Sequence, residues 1–220
     1  MTDKPIRFLC LAIALGVALI PACGTAADGA LLHGRMEGKT YVAPAGGFRC
    51  EVQDYELGEI SLEDGFAADG GTAKFNGFFN VTRVDFQELE GYSAQQLADS
   101  AEARKALYEE YFNSALLPQV QGAIKDTIVL SKGFRAGSPD LFVSVMKLPR
   151  VGQQGRDLYR GAVQYADGHS MYVISVSKTP SPGHRQWTEA QNSEDVQQET
   201  LAAFGRCTFP RWPTAQGKKT

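Results

Sequence analysis

Residues 48–52 alternate between apolar and polar, as half-buried β-strands do, and further strand-like runs recur in the second half of the chain. The clearest pair of strands covers residues 158–165 and 170–176, which flank the preferred turn dipeptide Asp167-Gly168. The second of these strands is almost entirely apolar, so we expect it at the centre of a sheet. Further strands are predicted over residues 48–52, 78–86, 127–130 and 140–148, and turns at 63–65 and 69–71.

A helical period begins after residue 92. Ser93 and Gln96 have the spacing of a capping box, which marks the start of a helix. Pro118 is expected to end or restart this helix, because proline lacks the N–H that an interior turn needs. The apolar stripe that should face the core comprises Leu97, Ala101, Tyr108, Tyr111 and Phe112.

A second helix is predicted from Thr188 to Phe204. Thr188 and Gln191 again form a capping-box pattern, and Gly205 follows as the C-cap. The order of elements is therefore strands, helix, strands with a hairpin, and helix. Because helices and strands are segregated, this order predicts the α+β class, an antiparallel β-sheet packed by two main helices.

The N-terminus has the pattern of an export signal. Lys4 and Arg7 precede an uncharged apolar run over residues 8–20. A helix needs about 20 apolar residues to span a bilayer, so this run is too short to cross one and has the length of a signal-peptide core.

The residues that follow, Ile20-Pro21-Ala22-Cys23, resemble the lipobox of bacterial lipoproteins. That resemblance implies cleavage before Cys23 and a lipid anchor on its thiol, through which the protein binds a membrane. Several acyl chains hold a protein to a bilayer where one does not. Gly24 in place of Asp implies the outer membrane, facing the periplasm. The alternative is an ordinary signal cleaved after Ala27, which would release a soluble periplasmic protein.

These signals divide the chain into four parts. Residues 1–22 are the expected signal peptide, and 23–40 the lipidated Cys23 with a flexible, glycine-rich tether. Residues 41–209 form a single α+β domain, and 210–220 a flexible tail.

Cys50 and Cys207 remain once Cys10 leaves with the signal and Cys23 carries lipid. A pair of cysteines in an oxidising compartment predicts a disulfide, here between the start and the end of the domain. Two separate buried thiols are the alternative.

Composition and motifs argue against several classes of function. The net charge is −3 and no basic run occurs, which argues against a nucleic-acid partner. The three histidines, His33, His169 and His184, do not have the spacing of zinc ligands. The sequence contains no phosphate-binding loop and no nucleophile elbow, so we predict no catalytic residue, no metal and no cofactor.

The order of elements resembles the Mog1/PsbP-like fold, which also occurs in small bacterial lipoproteins. The matching features are Gly47-Phe48, the strand over 78–86, the Asp167-Gly168 hairpin and the closing helix that ends in Ala203-Phe204. The resemblance implies an α/β/α sandwich and a role in binding proteins or assembling complexes.

Three hypotheses of function follow. The preferred one is a non-catalytic envelope lipoprotein that acts as an interaction or assembly module for another envelope protein. The alternative is a periplasm-facing lipoprotein that binds a small or lipophilic ligand in an aromatic-lined pocket. A hydrolase is the third, and it requires a buried histidine–carboxylate pair. The aromatic residues available to a pocket are Phe75, Phe78, Phe79, Tyr108, Tyr111, Phe112, Tyr159, Tyr165 and Tyr172.

Overall fold

A seven-stranded antiparallel sheet, the large sheet, organises this computed structural model. The structure describes residues 31–209 without 45–46, 53–60, 68–69, 78–79, 90–99, 137, 168–169 and 181–186. The strand order in the large sheet is β4-β5-β6-β10-β9-β8-β7. Its strands are β4 (Ser61–Ala67), β5 (Gly70–Asn76), β6 (Asn80–Glu88), β7 (Ile128–Arg135), β8 (Ser138–Leu148), β9 (Leu158–Asp167) and β10 (Ser170–Lys178).

The predicted hairpin is confirmed and lies in the middle of the large sheet. Strands β9 and β10 pair antiparallel from Asp167 opposite Ser170 to Tyr159 opposite Lys178. Residues 171–176 of β10 are all buried. A strand flanked on both edges and covered on both faces needs apolar residues at consecutive positions, which explains its sequence.

The first helical region consists of α1 (Ala101–Tyr111), a π-helical turn (Phe112–Leu116) and α2 (Leu117–Ala123). A continuous helix from Ser93 is wrong, because Ser100 has extended backbone angles and caps α1 by accepting a hydrogen bond from the Ala103 N–H at 3.0 Å. The predicted cap at Ser93 and Gln96 lies outside the described residues. The serine side chain competes for the first free N–H groups and therefore sets the start of α1.

The π-turn explains how the helix passes Pro118. Leu117 donates to the carbonyl of Phe112, five residues earlier, and Pro118 lies at the second position of α2. A regular turn would place the proline ring against a carbonyl four residues back, and a widened turn relieves that contact. The prediction that Pro118 restarts the helix is confirmed.

The closing helix is α3 (Glu189–Gly205), with Thr188 as its N-cap and the predicted capping box with Gln191 in place. Its C-cap is Arg206, one residue beyond the predicted Gly205. Helix α3 approaches β9 closely at Gly161, where a β-carbon would collide with the Thr200 side chain. Glycine is therefore required there by the contact between helix and strand.

The two helical regions cover opposite faces of the large sheet. Phe142 of β8 packs with Tyr108 of α1. Val145, three residues further along the same strand, packs with Val196 of α3. Successive side chains of a strand point to opposite faces, so the sheet lies between α1–α2 and α3. The predicted α+β class and α/β/α layering are confirmed.

A second, small sheet lies over the β4–β6 end of the α3 face. Its order is β1-β2-β3-β11, and the core that it shares with the large sheet includes Tyr41, Phe48, Phe66, Phe75 and Tyr172. Its strands are β1 (Arg35–Glu37), β2 (Thr40–Val42), β3 (Arg49–Glu51) and β11 (Cys207–Thr208).

The predicted tether over residues 23–40 is too long. Residues 35–37 form β1, and Leu32 exchanges two backbone hydrogen bonds of 2.9 Å with Phe66 of β4. Gly34 belongs to the glycine-rich pattern that suggested a tether. Glycine is required at this position because a β-carbon would collide with the Tyr41 ring. Residues 23–30, the signal region 1–22 and the tail 210–220 lie outside the described residues.

The turn predicted at Glu63-Asp64-Gly65 is also wrong, because these residues lie inside β4. The turn dipeptide is overridden because the Asp64 side chain bonds to a neighbouring segment instead of to its own backbone. In the second predicted turn, Gly70 and Gly71 begin β5, and Asp69 lies outside the described residues.

The predicted disulfide between Cys50 and Cys207 is present. The two residues lie directly opposite each other in β3 and β11, with their α-carbons 4.0 Å apart. The bond therefore fastens the C-terminal end of the domain to the small sheet.

Candidate functional site

A charged cluster lies on the α1 face of the large sheet, and we use this name for Arg83, Asp85, Gln87, Tyr111, Arg160 and Ser175. Strand pairing fixes the orientation of its members. Arg83 lies opposite Ser175 and Asp85 opposite Val173, and Val173 packs in the apolar cluster beneath α1. Cross-strand partners point to the same face, so the charged side chains of β6 share this face with the apolar residues of β10.

Arg83 and Asp85 form an ion pair within β6. The Nε atom of Arg83 donates to Oδ1 of Asp85 at 2.6 Å, and its terminal nitrogen lies 2.6 Å from the same oxygen. Both side chains are mostly buried, with exposed fractions of 15% and 18%. Residues two apart on a strand share a face, which brings this pair together without help from another element.

Arg160 enters the cluster from β9. One terminal nitrogen of its guanidinium donates to the Ser175 hydroxyl on β10 at 3.1 Å. Its Nε is sealed from solvent and has no hydrogen-bond partner within the described residues. No carboxylate of those residues lies within 4 Å of the guanidinium. The cluster therefore contains two guanidinium groups and one carboxylate, and that carboxylate is bound to Arg83.

The environment of the cluster shifts two pKa values. Burial raises the pKa of Tyr111, and the negative charge of Asp85 raises it further, while Arg83 opposes the shift. Burial lowers the pKa of Arg160, with the charge of Asp85 acting against that effect. Tyr111 therefore stays protonated, and its hydroxyl donates to the Gln87 side chain at 3.3 Å.

Two further polar atoms on the same face lack partners within the described part of the chain. They are the Ser144 hydroxyl on β8 and the Oε1 atom of Gln164 on β9, in residues exposed by 1% and 0%. The amide nitrogen of Gln164 does have a partner, the carbonyl of Tyr108, at 3.2 Å. A buried polar group without a partner costs about 1–3 kcal/mol, so this face is not optimised for stability alone.

The charged cluster consists of hydrogen-bond donors and acceptors and of charged groups. It contains neither histidine nor cysteine, the side chains that most readily exchange a proton or act as nucleophiles near neutral pH. Arginine instead presents a rigid fork of N–H donors that fits carboxylate and phosphate groups. The arrangement can therefore hold an acidic group.

A second polar cluster surrounds Asp64 on the other face. Its carboxylate accepts hydrogen bonds from the Tyr41 hydroxyl at 2.6 Å and the Gly34 N–H at 2.7 Å, and His33 Nδ1 lies 3.0 Å away. Burial alone would raise the pKa of Asp64, but these hydrogen bonds together hold it below its ordinary value. They fasten the segment before β1 to β4.

The Asp64 cluster lacks the geometry that the hydrolase hypothesis requires. The side chain of His33 is 62% exposed, and the Oδ2 atom of Asp64 already accepts hydrogen bonds from the Gly34 N–H and the Tyr41 hydroxyl. A catalytic base must be oriented toward a nucleophile, and no serine or cysteine bonds to this histidine in the described residues. The contact between His33 and Asp64 therefore joins the segment before β1 to β4.

The other candidate residues of the sequence have mixed outcomes. Cys23, His169 and His184 lie outside the described residues, so lipidation of Cys23 stays a prediction. Within the described ranges, no three His, Cys, Asp or Glu side chains come close enough to hold a metal ion. No helix there is both long and apolar enough to cross a membrane.

The aromatic residues pack against one another more than they line a pocket. Phe48 contacts the rings of Tyr41, Phe66 and Tyr172 at centroid distances of 5.8–6.2 Å. An open cleft beside the disulfide has an empty volume of about 350 Å³, which includes solvent, and Phe75 is its one aromatic lining residue. Of the aromatics offered for a pocket, Phe78 and Phe79 lie outside the described residues.

The sequence did not single out Arg83, Asp85 and Arg160. Their positions are visible as polar residues at alternate places in otherwise apolar strands, and that period predicts a shared face. Which charges lie near Arg160 depends on how the strands pair in the fold. No local pattern in the sequence shows that Arg160 has no carboxylate within 4 Å among the described residues.

No model of a known protein family and no curated protein matches the chain. The solved structures that are similar to it include the following two. One is the Ran-binding protein Mog1p of Saccharomyces cerevisiae, with 11% identity and a TM-score of 0.46, over 80% of this chain and 97% of that one. The other is a point mutant of protein Mog1, with 12% identity and a TM-score of 0.45 over the same shares. Both have the name of the fold family that the sequence pattern resembles.

Proposed function

We propose that this protein is a non-catalytic interaction or assembly module of the bacterial cell envelope, anchored to the outer membrane by lipid on Cys23 and facing the periplasm. The observation that carries the proposal is the lipobox-like Ile20-Pro21-Ala22-Cys23 ahead of a disulfide-bonded domain. Disulfides persist in oxidising compartments such as the periplasm, so the bond between Cys50 and Cys207 supports export independently of the N-terminal pattern.

The charged cluster supports a role in binding. Five of its six residues lie on strands of the large sheet, and no carboxylate of the described residues lies within 4 Å of Arg160. An acidic group of an envelope protein would supply a counter-charge. The alternative function, binding of a lipophilic ligand among aromatic side chains, has less support, because the cleft beside the disulfide is lined by one aromatic residue.

Intact mass of the protein extracted from membranes tests the anchor. We expect a chain that begins at Cys23, carries a diacylglycerol and a further acyl chain, and has lost two hydrogens to the disulfide. A Cys23→Ser variant should leave the membrane fraction, whereas a Ser100→Ala variant should stay in it. An unmodified chain that begins after Ala27 would show a soluble periplasmic protein and overturn the anchor.

Crosslinking in intact cells tests the interaction. We expect one envelope protein to be recovered reproducibly with the wild type and to be lost when the charge of Arg83 is reversed by Arg83→Glu. An Arg35→Glu variant, changed at an exposed arginine of β1, is the matched control and should retain the partner. Recovery of no protein above background from either chain would contradict the proposal.

A further inference from the structure

Arg160 is a half-buried cation whose Nε atom is sealed from solvent and has no hydrogen-bond partner within the described residues. Arginine carries five N–H donors, and the described residues accept one hydrogen bond from this one, at Ser175. The nearest negative charge in the cluster, Asp85, is bound to Arg83 at 2.6 Å and lies more than 4 Å from Arg160. Transfer of a charge into a protein interior costs several kcal/mol unless a partner compensates it.

The strands on either side of Arg160 place hydroxyl groups beside it. Arg160 lies opposite Met146 of β8 and opposite Ser177 of β10. Ser144 and Ser175 are each two residues from those positions and share the face of Arg160, so they flank it diagonally on both sides. Ser175 already bonds to Arg160, whereas the Ser144 hydroxyl is buried without a partner in the described part of the chain.

The row between these groups is made of small side chains. Ala162 follows Arg160 by two residues on β9 and lies opposite Ser144 and Ser175 on the neighbouring strands. Ser144, Ala162 and Ser175 are exposed by only 0–1%. The guanidinium of Arg160 and the hydroxyl of Ser144 therefore lie on the same face of neighbouring strands.

We propose that Arg160, Ser144 and Ser175 form a binding site for one oxyanion, a carboxylate or a phosphate group of a ligand. An oxyanion accepts from the guanidinium fork and from hydroxyl groups at the same time, and it neutralises the charge. A water molecule satisfies the hydroxyl but leaves the cation uncompensated. The site deepens the binding role given to the charged cluster in the proposed function. Its failure would remove the support that Arg160 gives to that role, but it would leave the proposed lipid anchor on Cys23 untouched.

Titration of the full mature protein with sodium phosphate and, separately, with sodium acetate tests the site. The thermal midpoint is measured at constant ionic strength set with sodium chloride, because a ligand of the native state raises it with concentration. We expect one of the two anions to raise the thermal midpoint of the wild type. The anion that does so identifies the ligand group as a phosphate or a carboxylate.

Variants separate the site from general salt effects. Arg160→Met should weaken the response at least tenfold in concentration, and Ser144→Ala severalfold. Arg135→Met, which removes an exposed arginine at the end of β7, should respond as the wild type does. Circular dichroism shows whether each variant is folded. An equal response of the wild type and Arg160→Met, or no response of the wild type to either anion, would overturn the site.

Discussion

The two faces of the large sheet are formed by the same strands but differ in the kinds of side chain that they contain. On the α3 face, strands β5, β6 and β10 contribute Phe75, Val84 and Tyr172, which pack with Tyr41 of β2 and with Phe48, the residue before β3. Their rings contact one another at tilted or edge-on angles, which is how aromatic rings pack in a stable core. Packing of side chains is the main contact on this face, and the Asp64 cluster adds hydrogen bonds at β4.

The α1 face of the same strands contains charges and partnerless polar atoms. Arg83 and Asp85 alternate with Val84 along β6, and Arg160 and Gln164 flank Ala162 on β9. Proteins that violate the rules of stable burial do so chiefly at functional sites. The α3 face is therefore closed mainly by packing, whereas the α1 face adds charges to an apolar core, and the predictions below test whether those charges serve recognition.

Truncation of Phe48 should have the largest effect. Phe48 is 1% exposed and contacts four aromatic rings, so Phe48→Ala should lower the free energy of unfolding by about 3–5 kcal/mol. Denaturant unfolding measures the loss. The control Leu62→Ala, at a position 36% exposed, should cost about 1 kcal/mol or less. Equal losses for the two variants would contradict the assignment of the core.

Loss of the disulfide should come next. The bond joins residues 157 apart in sequence, so its removal frees a long loop in the unfolded chain. The double variant Cys50→Ala, Cys207→Ala should lose about 2–4 kcal/mol, measured by thermal or denaturant unfolding. A reducing agent should lower the stability of the wild type and leave the double variant unchanged. If the reducing agent affects neither, the bond does not stabilise the small sheet.

Local patterns predicted the centre of the fold well. The β9–β10 hairpin follows from two strand-like runs on either side of a turn dipeptide, and α3 follows from the capping box at Thr188. Each of these elements is specified by residues close together in sequence. Tertiary contacts agree with the local preference there, so the prediction needed no further information.

Other elements depend on distant partners and could not be predicted in this way. Asp64-Gly65 has the sequence of a turn but lies in β4, because Tyr41 and Gly34 bind the carboxylate. Residues 35–37 look like a tether and become a strand only through pairing with β2. The charged cluster has the same origin, since Arg160 and Asp85 lie on strands separated by two helices in the chain.

Replacement of Asp64 should have an intermediate, pH-dependent effect. Asp64→Asn keeps the shape but removes the charge, and should cost about 1–3 kcal/mol at neutral pH. Because the pKa of Asp64 is lowered in the folded protein, its contribution is present above the pKa of the unfolded chain, about 3.9, and is lost as the pH falls through the folded value. Unfolding between pH 7 and 2 should therefore show the two proteins converging below about pH 4. A constant difference across this range would exclude the charge as the cause.

The stability of Arg160→Met in a chloride buffer without oxyanions tests the central claim most directly. Methionine keeps the apolar stem of arginine and removes the charge that lacks a partner. If Arg160 serves recognition, denaturant unfolding should show the variant equal to the wild type or more stable by about 1–4 kcal/mol. A loss of about 3 kcal/mol or more, comparable to Phe48→Ala, would show that Arg160 holds the fold together and would contradict its role in recognition.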